Sequence, residues 1–184
     1  MIYLFDNEER LLKVVRRNAI KSALQKYALT TENYVSDRLT VEMKALNDDE
    51  LEKVEYMAIQ SMENTHLFHY FYIAQKSTKG EISTFTGVQS GIEELRKTPV
   101  FDKRPKNTPA KPVINELLQG TNWQARFVAD TTNHSTNFYY TSVFDALKKI
   151  CKVWGLEMQF FVEMNSNGIG ARYIDFKKKI GEAV

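Results

Sequence analysis

All four prolines of this 184-residue chain fall between positions 99 and 112, at Pro99, Pro105, Pro109 and Pro112. Proline fixes φ and has no backbone donor, so a cluster of them is hard to place inside a sheet or a helix. The same stretch carries Lys103, Arg104, Lys106 and Lys111, which suit solvent. Residues 98–111 therefore read as a Pro-rich linker. They divide the chain into a β-rich unit, 1–97, and a smaller α+β unit, 112–184.

Composition narrows the function classes. Hydrophobic residues make up 43% and charged residues 26%, as in ordinary globular proteins. Aromatics reach 12%, which favours strands and packed interfaces. A formal net charge of +2 implies no strong field for nucleic acid. The one dense basic run, Lys177–Lys178–Lys179, reads as a solvated face. Cys151 is the single cysteine, so no intrachain disulfide forms and a reducing compartment is expected. No apolar run approaches the roughly 18–20 residues of a membrane helix. Asp6, Glu8, Glu9 and Arg10 near the start argue against a signal peptide, and synthesis in a cytoplasm is expected.

The patterns along the chain predict elements. Ile2–Phe5 and Leu11–Val15 form an opening hairpin, and 19–29 fits either a helix or a distorted strand. Leu39, Val41 and Met43 alternate with polar neighbours, the mark of a half-buried strand. Its run, 39–45, is expected at an exposed edge of the first sheet, where a neighbouring subunit could pair with it. A helical turn over 47–53, a strand over 54–60, and a hairpin of 66–74 with 81–88 follow. Ser90 and Glu93 have capping-box spacing for a short helix. In the second unit, Val113, Ile114, Leu117 and Leu118 mark one helical face, and Gly120 its stop. Phe144, Leu147, Cys151 and Trp154 mark a second helix between Ser142 and Gly155. Strands at 123–129 and 137–141 flank a polar loop, and 156–162 and 171–176 form a final hairpin. The expected fold is α+β: an antiparallel β-barrel-like first domain, then two helices on one face of an antiparallel sheet.

Residues that could carry chemistry have plain structural readings. Glu63, His66 and His69 stand at a zinc-compatible spacing, but on a strand His66 and His69 would point to opposite faces. His134 lies in a polar loop. Cys151 lies on an apolar helical stripe, where a thiol is inert. Glu52 with Glu55, or Glu157 with Glu163, could be paired carboxylates, yet their spacing is not diagnostic. Asn133-His134-Ser135 matches a glycosylation sequon without a secretory context. No catalytic, cofactor-binding or metal residue is assigned, and no enzyme activity is expected.

Three stretches in order carry a resemblance. They are Ile2-Tyr3-Leu4-Phe5-Asp6 with Glu8 and Arg10, then Ile114-Asn115-Glu116-Leu117-Leu118 leading through Gly120 to Trp123, and Ala146-Leu147 through Trp154-Gly155-Leu156-Glu157 into Arg172-Tyr173-Ile174-Asp175-Phe176. This pattern resembles the N-terminal region of phage tail-associated lysins, the prophage endopeptidase tail family of siphophages. The resemblance implies a virion structural protein at the tail tip, similar to the baseplate hub of contractile tails. It implies a homotrimer below a distal tail protein ring, around the exit channel for tape measure protein and DNA. A peptidoglycan endopeptidase or receptor-binding module follows the hub in longer members; none is read before Val184, so the chain is expected to be either a truncated hub or only the hub's first domains. The alternatives are a peptidoglycan-degrading enzyme and a monomeric protein-binding module.

Overall fold

The computed structural model describes residues 1–180. Two compact units emerge, and neither is continuous in sequence. Unit 1 comprises Met1–Tyr27, Ser36–Ser90 and Phe161–Ala171; unit 2 comprises Ala28–Val35, Gly91–Phe160 and the residues from Arg172 on.

Unit 1 starts with the hairpin of β1 (Ile2–Phe5) and β2 (Leu11–Val15), antiparallel with a bulge at Leu4/Phe5. Asp6 builds the turn. Its Oδ1 accepts from the amides of Glu8 and Arg10, each at 2.9 Å, and its Oδ2 accepts from Arg10 Nε at 2.8 Å. The chain continues through β3 (Ile20–Leu29) and β4 (Val35–Lys44) to α1 (Asp48–Lys53), which Asn47 and Glu50 cap reciprocally. The strands β5 (Tyr56–Gln60), β6 (Phe68–Lys79) and β7 (Ile82–Gln89) complete the sheet. The ambiguous segment 19–29 is thus a strand.

Within unit 1 these strands run in the order β2-β1-β5-β6-β7-β4-β3, and β6 also pairs with the later segment at Val162↔Phe68. One face carries the core. Ile2, Leu4, Val15, Val41, Met57, Phe71 and Phe85 from six of the strands meet in one core, with Ile20 of β3 packed against it. The sheet is not a closed barrel. Among the described residues no ladder joins β2 to β3, although only four residues, 16–19, separate them. Three of those four form a single 3₁₀ turn, Arg17–Ala19, so the chain turns there without a hairpin ladder. The stretch 39–45 is also not an edge. β4 lies between β3 and β7, paired from Arg38↔Val88 to Lys44↔Ile82. Its alternation of buried and exposed residues suits an inner strand equally well, which is why pattern alone misplaces it.

Unit 2 holds α2 (Ser90–Arg96), β8 (Pro99–Lys103), α3 (Ala110–Leu118), β9 (Trp123–Val128), β10 (Phe138–Ser142) and α4 (Val143–Trp154). The strands β11 (Glu157–Asn165) and β12 (Gly168–Lys177) give their turn-proximal parts to unit 1 and the rest to unit 2. Residues 98–111, expected as a linker, are built into unit 2. Pro99 opens β8, where a missing donor costs little, and Val100 is buried. The Pro105 carbonyl accepts from Thr136, and Thr108 exchanges backbone bonds with His134. Pro109 caps α3 and Pro112 sits in its first turn, where the amide would be orphaned anyway.

The antiparallel sheet expected here forms only in part: the final hairpin of β11 and β12 is present, but β9 and β10 do not pair with each other. β9 pairs in parallel with β12, and β10 pairs antiparallel with β8. The loop between β9 and β10 bonds back to 105–108, so those two strands never form a hairpin. Helix α4 follows the sequence closely. Ser142 Oγ accepts from the Asp145 amide at 3.1 Å, and Gly155 ends the helix at φ 65°. Phe144, Leu147, Ile150, Cys151 and Trp154 are buried along one stripe.

Two outcomes follow. Burial opposes charge on Asp6, but hydrogen bonds from the Arg10 amide, the Arg10 side chain and the Glu8 amide outweigh it and hold the carboxyl below its ordinary 3.8. A depressed folded-state value stabilises above the ordinary one, and that stabilisation fades as pH falls through the lowered one. Asp6→Asn should lower the urea midpoint at neutral pH and remove part of the decline seen from about pH 5 to about pH 3. Gly91 is the second residue of α2, and a Cβ there would lie 2.6 Å from Phe160 Cδ1 and 2.8 Å from Trp123 Cζ2. Alanine offers about 0.5–1 kcal/mol of helix preference, against about 1–3 kcal/mol for overpacking two rings. Gly91→Ala should therefore destabilise in thermal unfolding.

Candidate functional site

The residues with chemical potential do not gather. His66 is exposed in a turn and Glu63 is exposed before it, whereas His69 is buried on β6. Among the described residues no group of three or more His, Cys, Asp or Glu could hold a metal ion. Glu55 pairs with Lys76 at 3.1 Å, and the same ammonium donates to the Glu52 carbonyl. Glu157 falls in unit 2, accepting from the Ile180 amide at 2.6 Å, while Glu163 falls in unit 1. Cys151 is fully buried; burial, with Glu157 adding to it, pushes its thiol far up and leaves it protonated. His134 stacks edge-on against Trp154 at 5.9 Å, next to its bridge to Thr108. Lys178 and Lys179 are exposed after β12. No described helix is long and apolar enough to cross a membrane.

Two polar clusters, one buried and one half-buried, escape the sequence patterns. In unit 1, Asp37 of β4 is 3% exposed. Its two oxygens accept from Gln25 Nε2 of β3 at 2.9 and 3.1 Å, and its Oδ2 lies 2.8 Å from His69 Nδ1 of β6. The Tyr27 ring stands edge-on to His69 at 5.2 Å. The cluster ties an outer strand to two inner ones. Its one sequence signal is an acid at the inward position of the series Val35, Asp37, Leu39, Val41. In unit 2, Glu94 of α2 accepts from Arg172 Nη1 of β12 at 2.6 Å and from Trp123 Nε1 of β9 at 2.8 Å. Arg126 of β9 reaches both carboxylate oxygens of Asp175 on β12. These contacts fasten the parallel pair and its covering helix.

The features of unit 1 that invite a partner are its open edges. β3 carries exposed Leu24 and Tyr27; β2 carries exposed Leu12 and Val14. Outer strands present unpaired backbone groups that another chain can engage. The edge expected at 39–45 is thus replaced by β2 and β3.

Residues 98–176 match the family model described as the prophage endopeptidase tail domain. Over that stretch the chain is similar to this family, as the motifs from Ile114 to Phe176 indicate. No curated protein matches the chain. Among solved structures, one similar fold is the E. coli c3393 protein, described as a component of the type VI secretion system with structural similarity to the T4 bacteriophage tail proteins gp27 and gp5. The identity is 8% and the TM-score 0.46; the match covers 88% of this chain and 48% of that one. The chain therefore spans about half the length of that protein.

Removing the centre of the unit 1 cluster tests its role. Asp37→Ala leaves the Gln25 amide without its buried acceptor and removes the carboxylate 2.8 Å from His69 Nδ1. It should cost about 3 kcal/mol in urea unfolding, and amide exchange should rise first along β3.

Proposed function

We propose that this chain is a structural component of a phage tail tip, part of a homotrimeric baseplate hub. The match of residues 98–176 to a prophage tail domain carries the reading. On this reading the β-rich unit 1 and the α+β unit 2 act as two hub domains, in place of the contiguous parts 1–97 and 112–184. They stand below a distal tail protein ring and surround the exit path of tape measure protein and DNA. The exposed apolar edges β2 and β3 supply intersubunit contacts. No site residue, cofactor or enzymatic step enters the reading. The protein would reside in the virion tail after synthesis in the host cytoplasm.

The family description names an endopeptidase, which favours one competing reading: wall hydrolysis by this chain itself. Light scattering on a sizing column separates the two. The hub reading expects three times 21.3 kDa. Leu24→Lys with Leu12→Lys should shift that mass to one chain with unfolding changed by no more than about 0.5 kcal/mol. A monomeric wild type that clears purified cell walls in a zymogram would overturn the hub reading in favour of the enzyme.

A further inference from the structure

Unit 2 exposes three large aromatic side chains together: Phe101 at 65%, Tyr139 at 67% and Tyr140 at 70%. Such grouping is uncommon on a free surface without a function. The backbone arranges it. Pairing of β10 with β8 keeps one register from Phe138↔Lys103 to Ser142↔Pro99, which sets Tyr140 opposite Phe101. Tyr140 adopts φ 44°, a left-handed conformation that a bulky side chain rarely takes. The result sets two adjacent tyrosines side by side where an ordinary strand would alternate them. Their rings meet edge to face at 4.6 Å and 89°, and Phe101 meets Tyr140 at 6.1 Å and 87°. The facet has walls at right angles.

A notch of about 260 Å³ opens beside Tyr139, lined by Asn137, Thr141, Asp145 and Lys149. Its polar groups are held in place. Lys149 Nζ donates to the Asn137 carbonyl at 2.7 Å and to its Oδ1 at 2.9 Å. An ammonium has three donors, so one remains for a ligand. Asp145 is fixed by Ser142 Oγ at 2.8 Å and by Lys148 at 3.0 Å.

We propose that the facet of Phe101, Tyr139 and Tyr140, with the notch beside it, binds a saccharide. A sugar ring offers an apolar C–H face against an aromatic wall and a rim of hydroxyls that both donate and accept. The notch holds hydroxyl, amide, ammonium and carboxylate groups, which satisfy such a rim. An apolar protein surface fits less well, because it would strip water from Lys149 and Asp145 without replacing it. An added β-strand fits less well too, since the left-handed Tyr140 interrupts the extended backbone of β10.

The full chain should be titrated with cellotetraose, chitotetraose and maltotetraose while backbone amides are followed by NMR. At least one should give saturable millimolar shifts concentrated at 137–141. Tyr139→Ala and Tyr140→Ala, both at exposed positions, should each weaken that binding about tenfold with the remaining spectrum unchanged. Absence of a saturable shift with all three sugars overturns the proposal, as does binding that survives both substitutions. A self-association that Tyr139→Ala abolishes, with no sugar response, would assign the facet to a second copy instead.

Discussion

A sheet with a largely apolar inner face must cover that face, and unit 1 does so by folding it onto itself. Residues from all seven strands reach one core, and the last partial turn, between β2 and β3, is left without a ladder. Burial is non-directional and rewards the curl whether or not the edges meet. Hydrogen bonding is directional and decides whether they do. The 3₁₀ turn over Arg17–Ala19 lets the chain pass from one edge to the other without aligning them. The polar cluster of Gln25, Asp37 and His69 then holds β3 against β4 and β6 from within the protein. This leaves the outer flank of β3 open for a partner.

Unit 2 solves a different problem. A parallel strand pair has no hairpin to set its register, so other groups must. Glu94 reaches both strands of the β9–β12 pair from a helix, and Arg126 with Asp175 spans the pair directly. Gly91 lets that helix approach Trp123 and Phe160 closely enough for Glu94 to reach. The carboxylate thus acts through position, as a structural staple.

Much of this was legible in the residues. Capping at Ser142, the stop at Gly155, the apolar stripe of α4 and the opening hairpin all rest on interactions within a few positions, which a sequence displays directly, whereas the capping box expected at Ser90 does not form and its Oγ has no partner among the described residues. Pairing between distant strands was not legible. Leu39–Ala45 has the alternation of an edge strand and of an inner strand alike, and only β3 and β7 beside it decide. The prolines misled because their missing donors were taken as missing structure. Their carbonyls still accept, and the helix start needs no donor from Pro112. Tyr140 could not be foreseen, since nothing in Phe138-Tyr139-Tyr140-Thr141 signals a left-handed residue.

The hairpin of β11 and β12 has a consequence for how the chain is made. Its turn-proximal part, 161–171, completes unit 1, whose other residues lie before position 91. A ribosome releases unit 1's final strands only after nearly all of unit 2 has emerged. Early strands must therefore wait with an uncovered flank while some seventy later residues are synthesised, Gly91 to Phe160. At typical synthesis rates that delay lasts several seconds, roughly 4–14 s, long beside the microseconds of hairpin formation. Premature association is the hazard of that interval, and folding of the two units is coupled in time by the order of translation.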